Sequence, residues 1–314
     1  MHALIFTESG KNFGLGHLSR CLALSDYLIS CGFSVNIYNR GDYKSPLCIN
    51  LDWLSIENIS PLIESFAKPP LVIVDSYYVD IELANFITSK SKVCVFLDDF
   101  NRMIYPLEGI ILNGALNAKR LYIDVKNEMY VGIEYGLLRS SFRKRENKII
   151  NKEIQKILVI LGGSDSDNNI QKILDILEKE IVYELIDVVV GIDHCPISYG
   201  FNTSIHSSLS PSIIKDLMLS CDIAISGGGS TMVELQSTLT PTIALQIAQN
   251  QAYQLRAWRD VGLRVIDNVY QIKYALKTLR KFKDRKKLHS SLSKINIGSK
   301  VDSFIQELVK KYHS

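Results

Sequence analysis

HALIFTESGKNFGLGHLSRCLALSDYLIS, residues 2–30, decides the fold. Residues 2–7 form a short apolar run of strand length. Leu18, Cys21, Leu22, Leu28 and Ile29 then recur at helical spacing, and the helix ends before Gly32. Between the two lie Gly14, Gly16 and His17, where a Ser or Asp cap would be ordinary. Strand, glycine turn and helix form the opening unit of a doubly wound α/β sheet. Ligands in such sheets bind beyond the carboxyl ends of the strands.

The pattern runs on. FSVNIY, PLVIVD, KVCVFLDD and EGIILN read as apolar strands, and IELANFITS as a helix. Near-continuous apolar strands joined by helices predict a parallel sheet covered on both faces. The basic stretch RSSFRKRENKIINKEIQ reads as an interdomain linker, after which the pattern restarts. KILVILGGSDSDN is a strand, a glycine turn and a helix start. IDVVVG, CDIAISGGGS, PTIALQI and LRVID are further strands, with helices expected near 168–179, 211–220, 231–237 and 250–261. A chain of 314 residues suits two domains of about 150 residues each. The expected architecture is two Rossmann-like doubly wound domains, 1–145 and 146–314, with a cleft between them.

Composition narrows the function. Hydrophobic residues make up 46% and charged residues 22%, as in ordinary globular proteins, and a net charge of +3 gives no argument for nucleic acid. Six cysteines (Cys21, Cys31, Cys48, Cys94, Cys195, Cys221) form no C-x-x-C pair and read as reduced thiols. MHALIF lacks the basic start and cleavage site of a signal peptide, and no apolar stretch reaches the roughly 18 residues of a membrane span. A cytoplasmic protein is expected. KTLRKFKDRKKLH carries seven basic residues from Lys277 to Lys287. It reads as a solvated helix face, with weak attraction to an anionic membrane surface as the second reading.

Three glycine turns follow strands: Gly14-Leu15-Gly16-His17, Gly162-Gly163-Ser164-Asp165 and Gly227-Gly228-Gly229-Ser230-Thr231. Glycine lets the backbone approach a ligand, and the N–H groups of the following helix favour an anion such as a phosphate. None fits a dinucleotide or P-loop motif. Glu234, about one turn into the third helix, either accepts the hydroxyls of a ribose or is a solvated helical residue. His17 at a helix N-terminus is expected to be neutral and able to act as a base. His194, at the end of a strand, is its rival. Asp165 and Asp167 have a spacing that can hold a divalent metal, but they also sit where a helix cap belongs. Asp98-Asp99 is a similar carboxylate pair with no His or Cys partner in sequence.

GLGHLSRCLALSDYL resembles the G-x-G-H-x-x-R-x-x-x-L-A signature of the UDP-sugar hydrolases of pseudaminic acid biosynthesis, which cut UDP from UDP-2,4-diacetamido-2,4,6-trideoxy-β-L-altropyranose. VIVDSYYVD, with Asp75 and Tyr77, FLDDF, LNGALNA, GLLRSSF and ILGGSD resemble further family segments in the same order. ISGGGSTMVELQSTLTPTIALQIAQNQ resembles the nucleotide-binding region shared with the lipid-linked peptidoglycan N-acetylglucosaminyltransferase and other GT-B enzymes. The likeness spans roughly residues 3 to 265. It implies a GT-B fold, a C-terminal half holding UDP and an N-terminal half holding the sugar. It also implies water attack at the anomeric carbon with inversion, and neither metal nor cofactor. His17 would orient or deprotonate the water, with Tyr77 and Asn250 completing the catalytic set. Glu8, Gly14, Gly16 and Arg20 would lie on the sugar side. Gly163, Ser164, Gly228, Gly229, Ser230, Thr231 and Gln251 would face the pyrophosphate, and Glu234 the ribose. One departure stands out: where the family shows R-x-D, this chain has Phe6-Thr7-Glu8, which opens the identity of the sugar. A GT-B glycosyltransferase, with an acceptor hydroxyl in place of water, is the second expectation. A non-catalytic binder of nucleotide sugars is the third.

Overall fold

The structure is a computed structural model describing residues 1–11, 13–165, 167–180, 185–191, 193–194, 197–198, 200 and 202–314, and at Ser164, Glu180, Asp193 and Asn250 the backbone alone. The chain divides into two compact units, Met1–Arg139 with Ile297–Ser314, and Ser140–Asn296.

The first unit is built on a parallel sheet of seven strands: β1 (His2–Glu8), β2 (Ser34–Arg40), β3 (Ile49–Asn50), β4 (Leu71–Asp75), β5 (Val93–Leu97), β6 (Ile110–Asn113) and β7 (Met129–Val131). Their order is β3-β2-β1-β4-β5-β6-β7. The direction of winding reverses beside β1, between β1 and β4, which places the crevice at the carboxyl ends of these two strands. Helices α1 (Gly16–Ser30), α2 (Ile56–Glu64) and α3 (Ile81–Lys90) connect the strands. The Ser55 side chain caps α2 by accepting from the Asn58 N–H, and Asp80 caps α3 by accepting from that of Leu83.

Both faces of the sheet are covered, which is why the strands read as unbroken apolar runs. One face packs Ala3, Ile5, Ile73 and Val95 against Leu18, Leu24 and Leu28 of α1. The other packs Leu4, Phe6, Val72 and Phe96 against Trp53, Ile59 and Ile87. The C-terminal helix (Val301–His313) adds Val301, Phe304, Ile305 and Leu308 to the first of these cores. The expected second domain, 146–314, therefore ends earlier: residues 297–314 return to the first unit because their apolar face completes its core.

The second unit has strands β8 (Lys156–Ile160), β9 (Ser164–Asp165), β10 (Leu185–Val189), β11 (Asp193–His194), β12 (Thr203–His206), β13 (Ile223–Gly227), β14 (Thr242–Leu245) and β15 (Arg264–Ile266). Six of them form a parallel sheet in the order β12-β10-β8-β13-β14-β15, and β9 pairs with β11 outside it. The winding reverses between β8 and β13, and the glycine turns at 162–163 and 228–229 follow these two strands. Helices α4 (Ser140–Arg143), α5 (Asn169–Glu180), α6 (Pro211–Ser220), α7 (Ser230–Ser237), α8 (Ala252–Val261), α9 (Ile272–Leu279) and α10 (Phe282–Leu292) complete the unit.

The expected linker is built into this second unit. The Lys148 side chain is buried, and its ammonium donates to the carbonyls of Met218 (2.8 Å), Leu219 (2.8 Å) and Cys221 (2.6 Å), which closes the C-terminus of α6. Lys215 pairs with Glu146 at 2.5 Å. The basic segment from Lys277 to Lys287 likewise has an internal member. Arg285 is fully buried and donates to the carbonyls of Leu279 (2.6 Å), Arg280 (2.9 Å), Asn151 (2.7 Å) and Lys152 (2.9 Å). Among the described residues no helix is long and apolar enough to cross a membrane. Cys21, Cys94 and Cys221 are buried free thiols, and Cys195 lies outside the described residues.

Candidate functional site

In the first unit the side chains expected to act gather at the carboxyl ends of β1, β4 and β5. After β1 the chain makes a tight loop in which the Gly14 N–H donates to the Gly10 carbonyl at 2.7 Å and the Gly10 N–H donates back to Gly14 at 3.0 Å. Gly14 has φ +70°, a conformation that disfavours other residues. Helix α1 then starts without a side-chain cap, and His17 is its second residue. The loop thus delivers the imidazole to the end of the neighbouring strand β4.

There it meets Asp75. His17 Nδ1 lies 2.6 Å from Asp75 Oδ1, and the Asp75 side chain is fully buried. Arg20, one turn further along α1, donates from Nε to Asp75 Oδ2 at 2.6 Å and from Nη2 to Oδ1 at 2.5 Å. Its Nη1 donates to Asp99 Oδ1 at 2.6 Å. The Tyr77 hydroxyl donates to the other oxygen of Asp99. The Tyr77 ring stands edge-on to the His17 ring, with centroids 4.6 Å apart.

Burial alone would raise both carboxyls. For Asp75 the Arg20 guanidinium and the His17 pairing overcome it and hold it well below the usual carboxylate range, and for Asp99 the charge of Arg20 also lowers it. Burial pushes the Tyr77 phenol up and Asp99 adds to the rise, so Tyr77 stays a donor. With an ionised carboxylate against Nδ1, the proton sits on that nitrogen and the lone pair is on Nε2. Among the described residues no hydrogen bond reaches Nε2. The setting of His17 therefore differs from the expected one: an Asp partner governs it more directly than the helix terminus does. Arg20, expected among the substrate contacts, has Nε, Nη1 and Nη2 engaged by carboxylates. The pair Asp98-Asp99 divides its work. Asp99 joins this network, whereas Asp98 accepts from the Tyr122 hydroxyl (2.6 Å) and the Asn101 N–H (2.8 Å) and shapes the loop.

Glu8, at the end of β1, is fully buried and pairs with Arg40 of β2 at 3.0 Å. Burial raises its carboxyl above the ordinary range, and Ser76, Arg40 and His17 pull the other way. Arg40 in turn lies over the rings of Phe13 and Tyr78, 5.5 and 5.4 Å from their centroids.

In the second unit the chemistry is carried by backbone. Strand β13 ends at Gly227, Gly228 and Gly229 follow, and α7 begins at Ser230 with Gly229 as an N-cap that brings no side chain. Gln251 supports the turn from behind: its Oε1 accepts from the Gly228 N–H (3.2 Å) and the Ile247 N–H (3.1 Å). A Cβ on Gly228 would meet Leu255 and Gln251 at 2.9–3.0 Å, whereas one on Gly229 would meet nothing within 4 Å. Gly229 thus opens the first turn to an incoming group, and Ser230 and Thr231 are half-exposed beside it. Glu234 is only 6% exposed, so it is not a solvated helical residue.

The Gly162-Gly163 turn after β8 is crossed closely by Gly191, where a Cβ would lie 2.3 Å from the Gly163 carbonyl oxygen. A glycine closing the apolar run VVVG was the signal for this contact. Asp165 caps α5 with both oxygens, accepting from the N–H groups of Asn169 and Ile170 at 2.8 Å each. His194 is exposed in β11. The side chains of Ser164 and Asn250 lie outside the described residues.

No protein-family model matches the chain. It is 27% identical over 252 residues to the "Pseudaminic acid cytidylyltransferase and UDP-2,4-diacetamido-2,4,6-trideoxy-beta-L-altropyranose hydrolase" of Helicobacter pylori, covering 80% of this chain and 45% of that protein. The chain thus spans about half the length of that relative. It is 25% identical over 287 residues to the spore coat polysaccharide biosynthesis protein SpsG of Bacillus subtilis, covering 83% of this chain and 82% of that one. Among solved structures, the glycosyltransferase SnogD from Streptomyces nogalater superposes with a TM-score of 0.63 at 15% identity, covering 98% of this chain and 99% of the other. Two parallel sheets with connecting helices, matched along nearly the whole chain, give this protein the α/β architecture of the GT-B glycosyltransferases.

Proposed function

We propose that the chain is an enzyme of glycan biosynthesis acting on a nucleotide sugar, and that it hydrolyses a UDP-linked diacetamido-trideoxy sugar to release UDP. The observation that carries this reading is the His17–Asp75 pair, in which a buried carboxylate fixes one ring nitrogen while no hydrogen bond among the described residues reaches Nε2. Kinship with the Helicobacter and Bacillus proteins, whose names concern an altropyranose hydrolase and a surface polysaccharide, supports the substrate class.

In this reading the second unit holds the nucleotide. The first-turn N–H groups of α7 take the diphosphate, and Glu234 takes the ribose. The first unit serves the sugar. Nε2 of His17 removes a proton from water while the water oxygen bonds to the anomeric carbon. The bond from that carbon to the phosphate oxygen breaks, and its electron pair leaves with UDP. Asp75 stabilises the imidazolium that forms, and the uncapped N–H groups of α7 stabilise the charge on the leaving phosphate. Base assistance of this kind contributes about 10²–10⁴-fold.

The test is to incubate the purified protein with UDP-2,4-diacetamido-2,4,6-trideoxy-β-L-altropyranose and no acceptor. Stoichiometric UDP and free sugar are expected over many turnovers. Release only after an acceptor sugar or lipid is added would make the protein a transferase. No release in either case would overturn the enzyme reading.

A further inference from the structure

We propose that Asp99 is a positioning residue for His17: through Arg20 and Tyr77 it fixes the Asp75–His17 pair, and its charge makes the network able to take up a proton. This rests on the reading of His17 as the base. The geometry is a chain of contacts. Asp99 Oδ1 accepts from Arg20 Nη1 at 2.6 Å, while its other oxygen accepts from the Tyr77 hydroxyl. Arg20 carries the constraint to both oxygens of Asp75, and Asp75 carries it to His17 Nδ1. Tyr77 carries it by a second route, through its ring edge against the imidazole. Asp99 thus grips both neighbours of His17 without touching the ring itself.

The charge count gives this grip a purpose. Asp75 and Asp99 are both held ionised, and Arg20 supplies a single positive charge. The three together carry one negative charge while His17 is neutral. A proton arriving on Nε2 brings this largely buried network to neutrality, so the step that activates water also removes an uncompensated charge. With Asp75 and Arg20 alone the network would start neutral and become positive on the same step. The other titratable groups beside the His17–Asp75 pair are Glu8 from β1, whose carboxyl burial raises above its ordinary range and which pairs with Arg40, and the Cys21 thiol of α1, which lies 3.4 Å from Asp75 and which burial and Asp75 keep protonated. Neither replaces the charge of Asp99. Arg20 Nη2 lies 3.3 Å from Nδ1, so the positive charge that Asp99 balances stands beside the imidazole.

The experiment is an NMR titration of the His17 ring in the full-length wild-type protein and in Asp99→Asn, Asp99→Ser and Asp99→Glu. Asp99→Asn keeps the shape and removes the charge. His17 is expected to lose its proton at a pH lower by at least about half a unit than in wild type. Asp99→Ser is expected to shift it the same way, so the result does not depend on one variant folding. Asp99→Glu is expected to restore much of the wild-type midpoint. Identical His17 titrations in wild type and both neutral variants would overturn the proposal. With the UDP-sugar as substrate, Asp99→Asn is expected to lower kcat about tenfold with KM little changed, since Asp99 does not touch the sugar. If wild type releases no UDP but the titration shifts, the hydrolase reading fails and the charge coupling stands.

Discussion

The turns after β1 and β13 open similar strand–turn–helix units, yet they are built in opposite ways. After β1 every polar side chain of consequence is paired: His17 with Asp75, Arg20 with Asp75 and Asp99, Glu8 with Arg40. After β13 the turn offers almost nothing but main chain, with Gly228 supported by Gln251 and Gly229 facing open space. A side chain held in a web of charges has a defined protonation state and direction, as proton transfer requires. A bare helix start has N–H groups and little bulk, as holding a diphosphate requires. One fold unit can thus serve chemistry or binding depending on whether its glycines are followed by an anchored imidazole or by an open first turn.

The largest expected effect separates these two roles. His17→Ala removes the group proposed to take the proton at Nε2 and changes no residue of the second unit. UDP release is expected to fall by about 10²–10⁴-fold. The affinity for UDP, measured by isothermal titration calorimetry, is expected to stay within about twofold. Loss of UDP binding in this variant would show that the division of labour between the turns is wrong.

The converse probe is Gly229→Ala. Its backbone, at φ −86° and ψ −158°, suits alanine, and the new methyl meets nothing within 4 Å. The melting temperature is therefore expected to hold, while the methyl stands where the diphosphate would approach. UDP affinity is expected to drop about tenfold, equal to roughly 1.4 kcal/mol, with the turnover of saturated enzyme changed far less. Unchanged UDP affinity would place the nucleotide elsewhere.

The two turns also differ in how far the sequence discloses them. Gly227-Gly228-Gly229 before Ser230 is visible as a string, because backbone binding needs only glycines and a helix start, both local. His17 is visible too, but its network is not: Asp75 and Asp99 are 58 and 82 positions away, and they gather beside it because β4 lies next to β1 in the sheet and β5 next to β4. Strand order is a tertiary property, so Asp98-Asp99 reads as an orphan carboxylate pair. The same limit explains the C-terminal helix and the basic segments. Phe304 and Leu308 show an apolar helix face but not which core takes it. Lys148 and Arg285 look like solvated charges because nothing local reveals that helix carbonyls will surround them. Ten of the strands, by contrast, are legible as apolar runs, whereas β3, β7, β9, β11 and β12 are not, because each is only two residues long or has no fully buried residue.

The smallest expected effect sharpens the reading of the remaining glycine turn, at Gly162-Gly163. Asp165 could in sequence be a metal ligand or a cap, and in the structure both of its oxygens accept from the first turn of α5. Asp165→Ala is therefore expected to cost about 1 kcal/mol of stability, the ordinary price of a lost N-cap, seen as a lower urea midpoint with an unchanged slope. UDP release at saturating substrate is expected to remain near wild type, and a chelator is expected to change it no more in the variant than in the parent. A carboxylate that held a metal with the diphosphate would behave otherwise: its loss would cripple UDP release while sparing the urea midpoint. The two outcomes lie on different axes, stability and turnover, so a single variant decides whether this turn resembles the one after β13, bare and open, or carries a working side chain like the one after β1.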